Sequence, residues 1–364
     1  MTVSVAYKSN APGVIIEYVP SNALTISTSA TAIPAFAAPA KYVTSGQSLA
    51  LMDFLQLSKI HNSLNEADQN NDFYQAMKMY FMNGGGRGYL IKDDAKLANE
   101  LARLDDVTLF VQAGQAVVAK ADLADVLETN KIFAILDGPK AQLDENGAPP
   151  TTGYTPVLTD NENAAAYYPW LTLVGDINAA VYPPSAAVAG VYCRIDATTG
   201  PWFTPANVSL QGVNTVFGVS DREQEFNLNS LNMIRNLYQR NAVVWGGRTT
   251  KGDNTDWRYI SVKRTFNMLQ RDIRDALRKV VFQPNTARTW QSVRSSINAY
   301  LNSIFLRGGL SGSRPEDAWF VRVGKGVTMT AEDILDGVMI VEVGVATVRP
   351  AEFIVLRFSQ IMGE

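Results

Sequence analysis

Between residues 88 and 137 short apolar runs alternate with amphipathic ones: GYLIK, AKLANELARL, VTLFVQA, AVVAKADLADVLETN and IFAILDG follow in that order. The short runs read as buried strands, and the longer ones, with apolar residues three and four apart, read as helices. Parallel neighbours need a crossover between them, usually a helix. The alternation therefore commits this part of the chain to a parallel sheet covered by helices.

The stretch YFMNGGGRGYLIK, residues 80–92, enters this region and invites comparison with a phosphate-binding loop. Such a loop runs strand, glycines, helix, so that backbone N–H groups and the helix N-terminus converge on the anion. Here the order is reversed. Phe73, Met77, Tyr80 and Phe81 share one helical face before the glycines, and GYLIK begins a strand after them. Gly84 to Gly86 read as a helix-to-strand turn, where a left-handed residue is needed and glycine has no steric cost.

At 364 residues and 46% hydrophobic the chain can bury a sizeable core, with length favouring two or so domains. The net charge of −3 argues against nucleic acid or an anionic membrane as the partner of the whole molecule. One cysteine, Cys193, lies in the strand-like AGVYCRI, and one histidine, His61, lies in polar surroundings that suggest a surface loop or helix end. These counts exclude an internal disulfide and argue against zinc clusters, Cys–His pairs and Ser–His–Asp triads. Carboxylate chemistry remains open, with Asp137 after IFAIL and the pair Asp93–Asp94 as its candidates; a turn and a helix cap explain them equally. No cofactor or metal is expected. The N-terminus shows no secretory pattern and no 18-residue apolar run occurs, so assembly in a cytoplasm is the expectation.

At the start, TVSVAY places Val3, Val5 and Tyr7 on one side of a strand, and VIIEYV reads as a second. SLALMDFLQLSKI is helix-like, and residues 164–207 read as strands and loops rich in aromatics and proline. NLNSLNMIRNLYQRN reads as a helix leading to a strand at 242–246. From 257 to 281, Val262, Phe266, Leu269, Ile273, Leu277 and Val280 form one apolar stripe of a long helix, followed by a second helix ending at Gly308 and Gly309. AWFVRVG, GVMIVEVGVAT and AEFIVLRFSQ read as strands, the last two as a hairpin.

Two surfaces call for partners. Lys263, Arg264, Arg271, Arg274 and Arg278 cluster opposite the apolar stripe. They form either a solvated face with Asp275 paired to Arg271 and Lys279, or a docking face for an acidic partner. The strands at the two ends pair either within one molecule or between neighbours by strand addition.

Several blocks, taken together, resemble the tail sheath proteins of contractile phage tails and phage-tail-like injection particles: APGVIIEY at 11–18, YFMNGGGRGYLI at 80–91, AAAYYPWL at 164–171, PPSAAVAGVYCRID at 183–196, GPWFTPAN at 200–207, LNSLNMIR, VVWGGRT, RYISVKRTFNML, VFQPNTARTW and VRPAEFIVLRF. The resemblance implies a two-domain mixed α/β subunit. An inner domain drawn from both chain ends (1–20 as an arm and strand, 251–364 as the tube-facing part) would carry an inserted outer domain, 21–250, with a mixed sheet flanked by helices. It implies a structural, non-enzymatic role. The protein would form a six-start helical homo-oligomer around an inner tube, bounded by baseplate and terminal cap proteins and other sheath paralogues, and would contract. The particle, a phage tail or released phage-tail-like particle, would be assembled in a bacterial cytoplasm. Lys263, Arg264, Arg271, Arg274 and Arg278 would then face the inner tube. Val3, Val5, Tyr7, Ile340, Val341, Val343, Ile354, Leu356 and Phe358 would exchange strands between subunits. The alternatives are a baseplate-proximal sheath paralogue and, from another class, an α/β nucleotide-binding enzyme.

Overall fold

The computed structural model describes residues 24–65, 72–144, 147–148, 154–176, 180–225, 230–252, 254 and 256–352. The first part runs β1 (Pro34–Ala38), β2 (Ser48–Leu51), α1 (Phe54–Asn62), α2 (Asp72–Met82), β3 (Gly88–Lys92), α3 (Leu97–Ala102), β4 (Leu109–Val111), α4 (Lys120–Asn130), β5 (Phe133–Asp137) and β6 (Ala164–Tyr168). Then come β7 (Leu171–Leu173), α5 (Ser185–Thr198), β8 (Val208–Ser209), β9 (Val213–Thr215), α6 (Asp221–Glu225), β10 (Asn232–Leu237) and β11 (Arg240–Trp245). The last part holds α7 (Ile260–Leu277), α8 (Ala287–Leu306), α9 (Pro315–Ala318), β12 (Trp319–Arg322), α10 (Ala331–Leu335) and β13 (Glu342–Val345).

Among the described residues nine strands form one mixed sheet in the order β2-β3-β1-β4-β5-β6-β10-β11-β8. Strands β3, β1, β4, β5, β6 and β10 are mutually parallel; β2 on one side and β11 on the other run antiparallel to them, and β8 pairs antiparallel with β11. Both faces of the parallel centre are covered, which explains why its strands are continuously apolar. Phe36, Leu109, Phe133 and Tyr167 point to the face filled by α2 and α5; Ala35, Phe110, Leu136 and Tyr168 point to the face filled by α3 and α4. A third core joins α7, α8 and the β12–β13 pair, with Leu24 and Ile26 from the start of the described chain packed against it.

The glycine segment has the predicted order, α2 then turn then β3. Gly84 takes φ +104°, and the Tyr80 hydroxyl closes the turn on Gly86, donating to its carbonyl (3.1 Å) and accepting from its N–H (3.0 Å).

Four expectations change. Residues 185–198, including Cys193, form a helix and not a strand. Ser185 through Tyr192 are all buried, so the first two turns of the helix are enclosed on every side and show no period. Gly190 is what allows α5 against α2, since a Cβ there would lie 2.4 Å from the Tyr80 carbonyl. The expected helix near 231–240 is the hairpin β10–β11, turned at Tyr238 and Gln239 with Gln239 at φ +61°. SLALMDFLQLSKI splits into β2 and α1, where Asp53 accepts from Gln56 N and starts the helix. His61 lies in the last turn of α1, the helix end that was one of its two expected places, but it is buried: it stacks on Tyr74 at 3.7 Å and meets the Tyr42 hydroxyl at 2.7 Å. The predicted strands at 2–7 and 14–19 lie outside the described residues.

Candidate functional site

The long helix α7 carries the residues singled out for an external partner, and its surroundings decide their role. Of the predicted stripe, Val262, Leu269 and Val280 are buried, and Phe266, Ile273 and Leu277 are half-buried. The opposite side, however, is not solvent. Lys263, Arg264 and Arg271 are buried within the chain, which corrects the reading that this basic face is free for another surface. The helix lies between two layers, and a helical wheel shows what is opposite the apolar stripe without showing what lies beyond it.

Lys263 Nζ donates to Glu162 (2.5 Å), lies 3.6 Å from Glu128, and sits 4.8 Å over the Trp257 ring. Arg264 donates to both carboxylate oxygens of Asp196 (2.9 and 2.6 Å) and to the Thr31 carbonyl (3.0 Å). Its guanidinium lies 4.6 Å over the Tyr192 ring, and the side chains of Arg264 and Asp196 are each 3% exposed. Burial alone would lower the Arg264 pKa, but the Asp196 carboxylate holds it above the usual value. Asn267 donates to Asn163, and Arg271 donates to the Asp105 carbonyl at 3.3 Å. Burial pulls the Arg271 guanidinium below its usual range, only partly offset by Asp275 and Asp272. On the other side, Asp272 accepts from Ser29 and from the Tyr300 hydroxyl. Arg274, which reaches the Thr129 carbonyl, and Arg278, near Asp275, keep exposed side chains.

Helix α7 is thus a polar seam between the nine-stranded sheet and the α7–α8 layer. Trp202 is an apolar anchor across the same seam: it belongs to the third core, with Arg307 4.9 Å over its ring. A Cβ on Gly200 or Gly309 would lie 2.6 or 3.0 Å from that ring, so both glycines make its slot. The sequence reading missed Asp196, Glu162 and Asp272 as partners. Their cations lie 68 and 101 residues away for the first two, and for Asp272 its donor Ser29 is 243 residues away. Local spacing carries no such signal.

The exchange residues divide by region. Val3, Val5, Tyr7, Ile354, Leu356 and Phe358 lie outside the described residues. Val343 lies in β13, which pairs antiparallel with β12 (Trp319↔Val345 through Arg322↔Glu342). The described partner of this strand is β12; the segment expected to form a hairpin with it, 351–360, falls almost wholly outside the described residues. Ile340 and Val341 directly precede β13, and Ile340 is exposed.

The carboxyl end of the parallel sheet, where α/β proteins place ligands, is closed by structure. Asp137 is buried there; its carboxylate accepts from Ser185 N (2.8 Å) at the start of α5 and from Gly114 N (2.9 Å). Burial pushes its carboxyl up to about 6, against the pull of those N–H groups. Asp93 accepts from Val117 and Val118 N, and Asp94 from Lys96 N, so this pair too is engaged in turn geometry. Among the described residues no group of three or more His, Cys, Asp or Glu side chains is placed to hold a metal ion.

Residues 252–361 match the family model of the phage tail sheath C-terminal domain. Over 98% of this chain and 99% of the other, the fold superposes with a TM-score of 0.84 and 40% identity on a chain of the PVC extracellular contractile injection system, in its sheath complex in the contracted state. A chain of the contracted anti-feeding prophage baseplate matches with a TM-score of 0.83 and 37% identity, over 96% of this chain and 99% of that one. The tail sheath protein of Vibrio phage KVP40 is 27% identical over 204 residues, 54% of this chain; the match covers 25% of that longer protein. Near-complete coverage at this identity extends through the seam, the mixed sheet and the helical layer together, and the chain belongs to the contractile tail sheath family.

Proposed function

We propose that this chain is the structural subunit of a contractile sheath, polymerising helically around an inner tube and contracting to drive that tube through a target envelope. The observation that carries this is the 40% identity to a contracted sheath chain across almost all of both chains. Baseplate, cap and inner tube proteins are the partners in this reading, and assembly takes place in a bacterial cytoplasm. Among the described residues no helix is long and apolar enough to cross a membrane. The work is done by repacking. A gain of a few kcal/mol per subunit, on the order of a few net hydrogen bonds, accumulates over the lattice.

Among the described residues β12 and β13 pair only with each other, which supports strand exchange, because such a pair is marginal alone and gains from further strands. In this reading Val3, Val5 and Tyr7, and Ile354, Leu356 and Phe358, come from neighbouring subunits to extend it. Of the five basic residues expected to face the tube, Arg274 and Arg278 retain the exposure that role needs. Electron microscopy of the purified chain tests the reading: hollow tubes are expected, and a chain without residues 1–10 should stay folded but form none. A protein that remains monomeric at high concentration, or a truncated chain that still builds long tubes, refutes the respective part. On particles, Arg274→Glu with Arg278→Glu should prevent the extended state; normal extended particles would return these arginines to solvent.

A further inference from the structure

Val281 and Phe282 follow α7 in the turn toward α8, and both are exposed, Phe282 fully. Phe282 also holds φ +70°. Glycine adopts that left-handed backbone freely at a helix end, whereas a bulky side chain does not. Its ring thus gains nothing from the chain's own core while its backbone is strained. Nearby, Leu335, Val338 and Ile340 are exposed, and Asn285 Nδ2 donates to the Val338 carbonyl (3.0 Å). That bond ties the two apolar segments to one end of the α7–α8 layer. Apolar surface gathered in this way marks an interaction site.

Charge divides the surface. Lys279 and Arg288, both exposed, flank Val281 and Phe282, while Glu332 and Asp336, also exposed, flank Leu335. We propose that Val281 and Phe282 of one copy seat against Leu335, Val338 and Ile340 of the next copy, with Lys279 and Arg288 facing Glu332 and Asp336 across the contact. A second copy is the occupant because it presents the opposite charge beside an apolar surface, whereas two like halves would repel. Because the two halves lie side by side on one molecule, charge pairing alone suits either a closed two-fold pair or a head-to-tail array, and the helical lattice selects the head-to-tail form. It rests on the sheath reading above and assigns one lattice contact within it.

The test uses the full chain, with assembly followed by sedimentation and electron microscopy and folding by thermal melting. Phe282→Gly should raise the critical concentration for tubes at least tenfold while the melting temperature stays or rises, since the strain is relieved; a purely structural ring would lower it. Lys279→Glu with Arg288→Glu, and separately Glu332→Lys with Asp336→Lys, should each block assembly, and an equimolar mixture of the two doubles should restore it. The proposal is overturned if Phe282→Gly assembles within twofold of wild type, if the mixture stays dispersed, or if a closed dimer forms. Should wild type form no tubes at all, the sheath reading fails separately. The contact then stands or falls on whether the two doubles bind each other more tightly than themselves.

Discussion

Asp196→Ala is the perturbation that most directly tests whether α7 is held by its buried polar seam. The variant leaves the Arg264 guanidinium where it is, with a side chain 3% exposed, and removes the two oxygens at 2.9 and 2.6 Å. The Thr31 carbonyl and the Tyr192 ring remain, but neither carries a compensating charge. Breaking a buried pair by removing one partner costs about 3–5 kcal/mol. For 364 residues, an unfolding entropy near 2.1 cal/mol/K per residue amounts to about 0.8 kcal/mol per kelvin. The melting temperature should therefore fall by about 4–7 °C if the chain unfolds cooperatively. Thermal and urea unfolding measure this, with Arg278→Ala as the control, because an exposed pair is worth only ~0–1 kcal/mol. The double variant Asp196→Leu with Arg264→Met should recover most of the loss, since the desolvation penalty then disappears with the charge. A loss for Asp196→Ala no larger than for Arg278→Ala would refute the assignment of α7 as a buried seam.

Trp202→Ala should cost about 3–5 kcal/mol through the cavity left between Gly200 and Gly309; urea unfolding checks it, and a loss under about 1 kcal/mol would mean the slot collapses without cost. Asp137 gives a pH signature. Its folded pKa of about 6 lies above the ordinary carboxylate value, so the folded chain holds a proton that the unfolded chain releases. The stability contributed by this group is therefore present at about pH 4 and lost as pH rises toward 6. Wild-type stability minus that of Asp137→Asn, followed by urea midpoints over this range, should decline with rising pH; a flat difference would show that the carboxyl is not so shifted.

The parallel centre of the sheet was legible because strands buried on both faces are written as unbroken apolar runs, and the helices between them show their period. The glycine turn was legible from element order alone. Helix α5 was not, because Ser185 through Tyr192 are buried on all sides and leave no polar phase to count. The β10–β11 hairpin was hidden by a turn at Tyr238–Gln239, where no glycine or asparagine announces the left-handed residue. At the seam, sequence revealed which residues of α7 are basic but not that Glu162 and Asp196 wait on other elements. A cation on a helix looks the same in sequence whether it meets water or a carboxylate 101 residues away. The exposed apolar residues around Phe282 are likewise invisible locally, since exposure belongs to the fold.

The entry of the chain into the fold has a mechanical consequence. Leu24 and Ile26 pack against the α7–α8 layer, Ser29 is bonded to Asp272, and the Thr31 carbonyl is held by Arg264 before the chain reaches β1, an inner strand of the sheet. Near the other end, β13 is laced to β12, which packs against the same layer. A pull on residues preceding Leu24 is thus taken up in shear by α7 and α8 before any tension reaches β1. Under the strand exchange proposed above, the helical layer is the short link between the two places where force enters, and the large sheet lies off that path.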